Sequence, residues 1–212
     1  MNPRLGLITA AGASRRMGHP KVGLCFPDGT SFINHMAKTL KATGHDLIYL
    51  SLPEGALGPA FEAHLSEFGV KTISNPCPDH QQIGSIVELL RVVPTKPSSI
   101  LVWPVDTPFA EQSHLEALYQ AYDQHPQSGL VSLQVQHKGG HPLLLGASFF
   151  ARLPEYANNE GLRGLADQFP QQVCRVAQTD MKLCDNINTP EQYRKAFAAE
   201  PQFLPNSLYF MQ

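Results

Sequence analysis

No apolar stretch in this chain approaches the ~20 residues that a membrane-spanning helix needs. An excess of one charge is missing as well, with 16 Lys and Arg against 18 Asp and Glu. A nearly neutral chain has no global attraction for nucleic acid or an anionic membrane, so any phosphate chemistry has to come from local clustering. Cysteine is sparse: Cys25, Cys77, Cys174 and Cys184 are scattered without C-x-x-C spacing. That argues against a disulfide framework or a zinc site and points to reduced thiols in the cytoplasm. Internal repeats and a clear linker are also lacking. The 212 residues therefore read as one domain over 1–200, large enough to bury roughly 70% of its unfolded surface, with a tail over 201–212. One imitation needs setting aside. Arg4, the run over 5–13 and an Ala11-x-Ala13 pattern mimic a secretory signal peptide. Its charged region is meagre, and Gly6 and Gly12 interrupt it.

Short apolar runs alternate with segments of helical period, the pattern of an α/β domain with a mainly parallel sheet. Strands are expected over 5–9, 46–52, 70–74, 99–105, 130–136 and 173–177, with 99–105 the most apolar and central. An extended piece is expected over 142–145, after a turn at Gly139-Gly140. Ser31 or Thr30 caps a helix running to about Thr43, and Gly44 stops it. Further helices are expected over 59–68, 84–93, 113–124, 148–153, 162–169 and 189–199, the last opened by Pro190. In the tail, Phe203, Leu204, Leu208, Tyr209 and Phe210 show no useful periodicity.

The most informative stretch directly follows the first strand: Thr9-Ala-Ala-Gly-Ala-Ser-Arg-Arg-Met-Gly-His-Pro-Lys21. Small residues let backbone amides approach an anion, and Arg15, Arg16 and Lys21 place charge beside them. Spacing alone also suits an ordinary strand-to-helix turn with solvated cations. Neither common nucleotide fingerprint fits: Gly12 and Gly18 do not make G-x-G-x-x-G, and His19-Pro20 after Gly18 break the P-loop pattern. A second constellation, Ile100-Leu-Val-Trp-Pro-Val-Asp106-Thr-Pro108, puts one carboxylate at the end of a buried strand, where open α/β sheets bind ligands. Plain turn chemistry before a proline explains it equally well.

The loop resembles the signature A-(A/G)-G-x-S-x-R-M-G-x-x-K of the MobA-like nucleotidyltransferases, with every fixed position filled. That resemblance implies a three-layer α/β/α, Rossmann-like, mostly parallel sheet of the GT-A-like type. It implies nucleotide binding by Thr9, Ala10, Ala11, Gly12, Ala13, Ser14, Arg16, Met17, Gly18 and Lys21, with Arg16 and Lys21 on the phosphates. Arg15 falls at a variable position. Asp106 and Pro108 match the family's D-x-P element, whose Asp binds the Mg²⁺ (or Mn²⁺) that bridges the phosphates. Arg16, Lys21 and Asp106 are thus the implied catalytic set. Asn75, Gly84 and Ser85 resemble the glycine-serine helix start on the nucleotide side. Gly140-His141-Pro142 and, less closely, Gly161-Leu162-Arg163 resemble acceptor-side elements of the cytidylyltransferase branch, which makes His141, Pro142 and Arg163 acceptor-binding candidates. Asp185-Asn-Ile-Asn188-Thr-Pro-Glu191 resembles the closing element whose second acidic position faces the metal. Here that position is Asn188, which offers a carbonyl oxygen but no charge, with Asp185 nearby.

The implied reaction is metal-dependent transfer of a nucleoside monophosphate from a nucleoside triphosphate to a small phosphate-bearing acceptor, releasing pyrophosphate. The form Ala10-Ala11-Gly12 leans to CTP as donor and molybdopterin as acceptor, with a molybdoenzyme receiving the product. A guanylyltransferase using GTP, a sugar-phosphate or other small-phosphate enzyme, and a non-catalytic binder of nucleotide or cofactor are the alternatives. No nucleic acid or membrane partner is expected.

Overall fold

The computed structural model describes residues 4–10, 14, 16–53, 55, 58–157 and 161–205. Its strands are β1 (Arg4–Thr9), β2 (Leu24–Cys25), β3 (His45–Pro53), β4 (Val70–Asn75), β5 (Ser99–Pro104), β6 (Leu130–Val135), β7 (Lys138–Gly146), β8 (Val173–Gln178) and β9 (Gln202–Phe203). Its helices are α1 (Phe32–Ala42), α2 (Pro59–Glu67), α3 (Gln81–Val92), α4 (Gln112–Gln124), α5 (Leu153–Tyr156), α6 (Gly161–Gln168) and α7 (Pro190–Phe197). Seven strands form one sheet in the order β4-β3-β1-β5-β7-β6-β8. All neighbours run parallel except β7, which is antiparallel to both β5 and β6. The expected mostly parallel, three-layer arrangement is what forms.

Both faces of the sheet are covered, which is why β5 reads as an unbroken apolar run and is buried at every residue. One face meets α1, α2 and α4, with Met36, Leu40, Phe61, Leu65, Leu115 and Leu118 in a common core. The other meets α3, α5 and α6 through Ile83, Ile86, Leu89, Leu153 and Leu165. Each fully buried Leu, Ile or Phe contributes about 1.5–3 kcal/mol. A third cluster joins Met17, Leu24, Phe32, Ile187 and Tyr193 around α7.

Local rules set the helix ends. Ser31 Oγ accepts from Asn34 N at 3.1 Å to cap α1, and Gly44 leaves it at φ +78°. Thr189 Oγ1 accepts from Gln192 N at 3.2 Å before Pro190 opens α7. Three expectations shift. The turn between β6 and β7 is Gln136-His137, with Gln136 at φ +56°, so Gly139 and Gly140 lie inside β7 rather than forming the turn. The left-handed Gln136 makes a two-residue hairpin possible without glycine. Helix α3 begins at Gln81, because Asn75 Oδ1 accepts from Cys77 N at 3.0 Å and winds the proline loop straight into a 3-10 turn, Pro78–His80. The helix expected over 148–153 is a 3-10 segment, Ala147–Arg152, running into the single turn of α5. In the tail, β9 was not anticipated: Phe203 and Gln202 pair with Leu24 and Cys25 of β2. Residues 206–212 lie outside the described residues.

Candidate active site

Chain order puts a switch point between β1 and β5. From β1 the chain moves outward through β3 and β4, then returns by α3 to lay β5 on the other side of β1. Ligands bind at such a point, beyond the carboxyl ends of the strands. Thr9 ends β1, and its carbonyl accepts from Val105 N at 3.0 Å, so the loops after β1 and β5 leave the sheet side by side.

The loop after β1 is held from within. Ser14, at φ +48°, accepts from Met17 N at 3.0 Å through its carbonyl. Its Oγ accepts from Lys21 N at 3.1 Å. Gly18 sits at φ +77°, a left-handed backbone conformation that calls for glycine. Met17 is buried at 3% exposure and anchors the loop in the third core cluster, while Arg16 is exposed. Ala11, Gly12 and Ala13 lie outside the described residues. Behind the loop, Leu204 N donates to Gly23 O at 2.8 Å, and the Phe203 and His19 rings sit 4.7 Å apart.

Asp106 follows β5 on a tight turn. Trp103 Nε1 donates to Thr107 O at 2.8 Å, and Thr107 Oγ1 donates to Pro104 O at 2.9 Å. The Asp106 carbonyl accepts from Ile187 N at 2.7 Å, which draws the segment before α7 against it. The three elements meet at one ammonium: Lys21 Nζ donates to Asp106 Oδ2 at 3.0 Å and to Asn188 Oδ1. Arg16 Nη2 reaches the same Asn188 oxygen at 3.5 Å. Lys21 and Asp106 are lightly exposed, at 15% and 19% of their side chains. Arg16, Lys21, Asp106 and Asn188, distant in sequence, therefore form one cluster.

A carboxylate and an amide oxygen converging on one cation suit Mg²⁺, which takes oxygen ligands and needs only one or two protein carboxylates. Among the described residues no three His, Cys, Asp or Glu side chains gather into a metal cage. An ion at Asp106 and Asn188 would thus complete its shell with phosphate oxygens and water. Asp185 lines a separate cavity of about 350 Å³ with Phe109 and Lys195.

Asn75, Gly84 and Ser85 also come together, facing inward. Asn75 Nδ2 donates to Ser85 Oγ at 3.1 Å, and Ser51 Oγ donates to the same atom at 2.8 Å. Both Asn75 and Ser85 have 0% exposure. A Cβ on Gly84 would stand 3.0 Å from Asn75 Oδ1 and Cys77 O. The trio ties the ends of β3 and β4 to the start of α3.

Of the residues expected on the acceptor side, His141 and Arg163 line, with Gly140, a cavity of about 710 Å³ between the sheet and α3 and α6, while Pro142 is buried and is not among its lining residues. The peptide between His141 and Pro142 is cis. Burial holds the His141 imidazole below its ordinary pKa, and the Asp106 charge pulls the other way. Sequence reasoning missed Ser132 and Arg175, which line the same cavity. The signal was present in Leu130-Val-Ser-Leu-Gln-Val, where every second residue on one face of an otherwise apolar strand turns polar after Leu130.

A strand-end carboxylate held by a lysine from a small-residue loop at the switch point is an arrangement suited to an anion-handling α/β protein. The chain belongs to the MobA-like NTP transferase family, whose domain description matches residues 6–173, and is thereby a protein of the nucleotidyltransferase class. It is similar to a molybdenum cofactor guanylyltransferase of Haemophilus influenzae strain Rd, 27% identical over 204 residues, 89% of this chain and 95% of that one. It is also similar to a probable molybdenum cofactor guanylyltransferase of Rhodopirellula baltica, 28% identical over 147 residues, 67% of this chain and 66% of that protein. Among solved structures, Rv0371c of Mycobacterium tuberculosis H37Rv superposes with a TM-score of 0.72 at 20% identity, over 93% of this chain and 99% of that one. A structure of that protein in complex with manganese gives 0.62 at 19% identity, over 93% and 99%.

Proposed function

We propose that this chain is a divalent-metal-dependent guanylyltransferase that moves GMP from GTP onto the phosphate of molybdopterin and releases pyrophosphate. The observation that carries the reaction class is the Lys21–Asp106–Asn188 cluster at the switch point. The base and acceptor rest on the relatives named molybdenum cofactor guanylyltransferase.

Transfer at the α-phosphorus brings two anions together, and the acceptor phosphate is already a nucleophile, so positioning and charge neutralisation do the chemistry. Arg16 and Lys21 hold the triphosphate in the loop whose remaining contacts come from Thr9, Ala10, Ser14, Met17 and Gly18. Lys21 exchanges its two oxygen partners for phosphate oxygens when nucleotide enters. Asp106 and Asn188, freed from Lys21, would hold a divalent metal through their side-chain oxygens, and an ion there would supply charge neutralisation for the phosphates and the leaving pyrophosphate. The net of Asn75, Gly84 and Ser85 fixes the floor on the nucleotide side. His141, Pro142 and Arg163 face the acceptor.

Cytidylyl transfer is the second reading, favoured by Ala10-Ala11-Gly12 and by His141 in the cavity wall. One assay separates them: pyrophosphate release from GTP, CTP, UTP and ATP with molybdopterin and Mg²⁺. Preference for GTP supports the proposal, and preference for CTP replaces it with the second reading. Turnover only with a sugar phosphate overturns both.

A further inference from the structure

Two polar atoms are buried along one cavity without a hydrogen-bond partner among the described residues, Ser132 Oγ and His141 Nδ1. Ser132 has only 5% exposure, and leaving such an atom unpaired costs about 1–3 kcal/mol. Alanine in its place would avoid that cost, so the hydroxyl does not serve the sheet.

The backbone explains how they meet. Ser132 of β6 pairs with Leu143 of β7, but the next residue, Leu133, pairs with Gly140. The slip leaves His141 and Pro142 bulged from the ladder opposite Ser132, and a bulge re-aims the side chain it carries. On its other edge Ser132 is in register with Arg175 of β8. Residues paired in register project from the same face of a sheet, and Arg175 accordingly lines the same cavity. Arg163 of α6 joins them, 91% exposed and 3.8 Å from Asp167.

We infer that Ser132 and Arg175 are acceptor-specificity residues: Ser132 Oγ, with His141 Nδ1, bonds the buried polar end of the acceptor, and Arg175, with Arg163, holds an anionic group on it. This rests on the acceptor reading above and adds residues that decide which acceptor fits. The ligand class is a small molecule with hydrogen-bonding groups at one end and negative charge elsewhere. An apolar acceptor would leave both buried atoms unpaired and is rejected for that reason.

Ser132→Ala and Arg175→Gln are tested in the full chain by steady-state turnover with molybdopterin and the triphosphate that the base assay selects. Loss of one hydrogen bond to a buried partner raises the KM for molybdopterin about tenfold in Ser132→Ala, and Arg175→Gln raises it by a similar factor. The kcat and the KM for the triphosphate stay within about twofold, and unliganded Ser132→Ala melts no lower than wild type. Acceptor KM values within about twofold of wild type in both variants overturn the inference while the proposed function stands. A lower melting point with both KM values raised alike marks a structural role and overturns it too. A wild-type protein that never turns over molybdopterin removes the acceptor reading and this inference together.

Discussion

Lowering the pH from 7.5 to 5 removes about 2 kcal/mol of stability through one side chain, His45, at the start of β3. The residue is 2% exposed. Its Nδ1 meets Thr43 Oγ1 at 3.0 Å and Leu40 O at 2.9 Å, and its Nε2 meets Tyr119 OH at 2.8 Å. Arg4 lies over the Tyr119 ring at 4.1 Å and adds a positive charge, while Asp46 pulls the other way. Burial is the largest influence, and it lowers the pKa from 6.5 to about 4. The unfolded chain therefore takes up a proton below 6.5 that the folded chain refuses until about 4. Stability is level above pH 7.5 and falls between 6.5 and 4. Linkage with those two values gives about 2 kcal/mol at pH 5 and about 3 at pH 4, relative to neutral pH. For a chain of this size that is a drop of roughly 4–8 °C in Tm at pH 5. Urea unfolding followed by the fluorescence of Trp103, the one tryptophan and fully buried, reads the change at each pH. Other histidines and carboxylates titrate too, so the decisive quantity is the difference between wild type and His45→Gln. The variant should show a pH dependence shallower by about 2 kcal/mol. Parallel curves would refute the reasoning, because the charge-refusing site would then lie elsewhere.

Lys21→Met removes the cation from the phosphate loop and should lower kcat by about 10²–10³, the scale for losing one electrostatic donor; an unchanged kcat would remove Lys21 from the mechanism. Asp106→Ala should abolish turnover while sparing metal-free nucleotide binding, read by thermal shift with and without Mg²⁺. Asn188→Asp sets a second carboxylate beside Asp106 and should lower the Mg²⁺ concentration for half-maximal activity several-fold; no shift would place the metal away from this segment. Gly129→Ala is a fold control. Its Cβ would stand 2.2 Å from the Phe149 ring, and overpacking of this kind costs about 1–3 kcal/mol, measurable as a lower urea midpoint.

Much of the sheet was legible because burial on both faces writes itself as apolar runs: β1, β3, β4, β5, β6 and β8 lie within a residue or two of their expected bounds. Capping chemistry marked α1 and α7 for the same local reason. The hairpin at Gln136 was hidden, since a non-glycine residue held at positive φ by its strands leaves no turn signature. In the site, the loop and Asp106 were visible one at a time, but their union on Lys21 Nζ depends on β1 and β5 being neighbours, which no local pattern encodes. Ser132 showed only as a polar residue on an apolar strand, and Arg175 not at all: their significance comes from a slipped register and a cross-strand pairing, both properties of two strands at once.

The small pairing of β2 with β9 carries a consequence for when the phosphate loop becomes finished. Leu24 and Cys25, just beyond Lys21, pair with Phe203 and Gln202, almost the whole described sequence later, and Cys25 adds a bridge to nearby Ser31. A nascent chain can assemble β1, β3 and β4 from near neighbours, yet the support behind Lys21 waits for one of the longest loop closures in the molecule. Nucleotide affinity should therefore appear late in synthesis, after the sheet itself has formed.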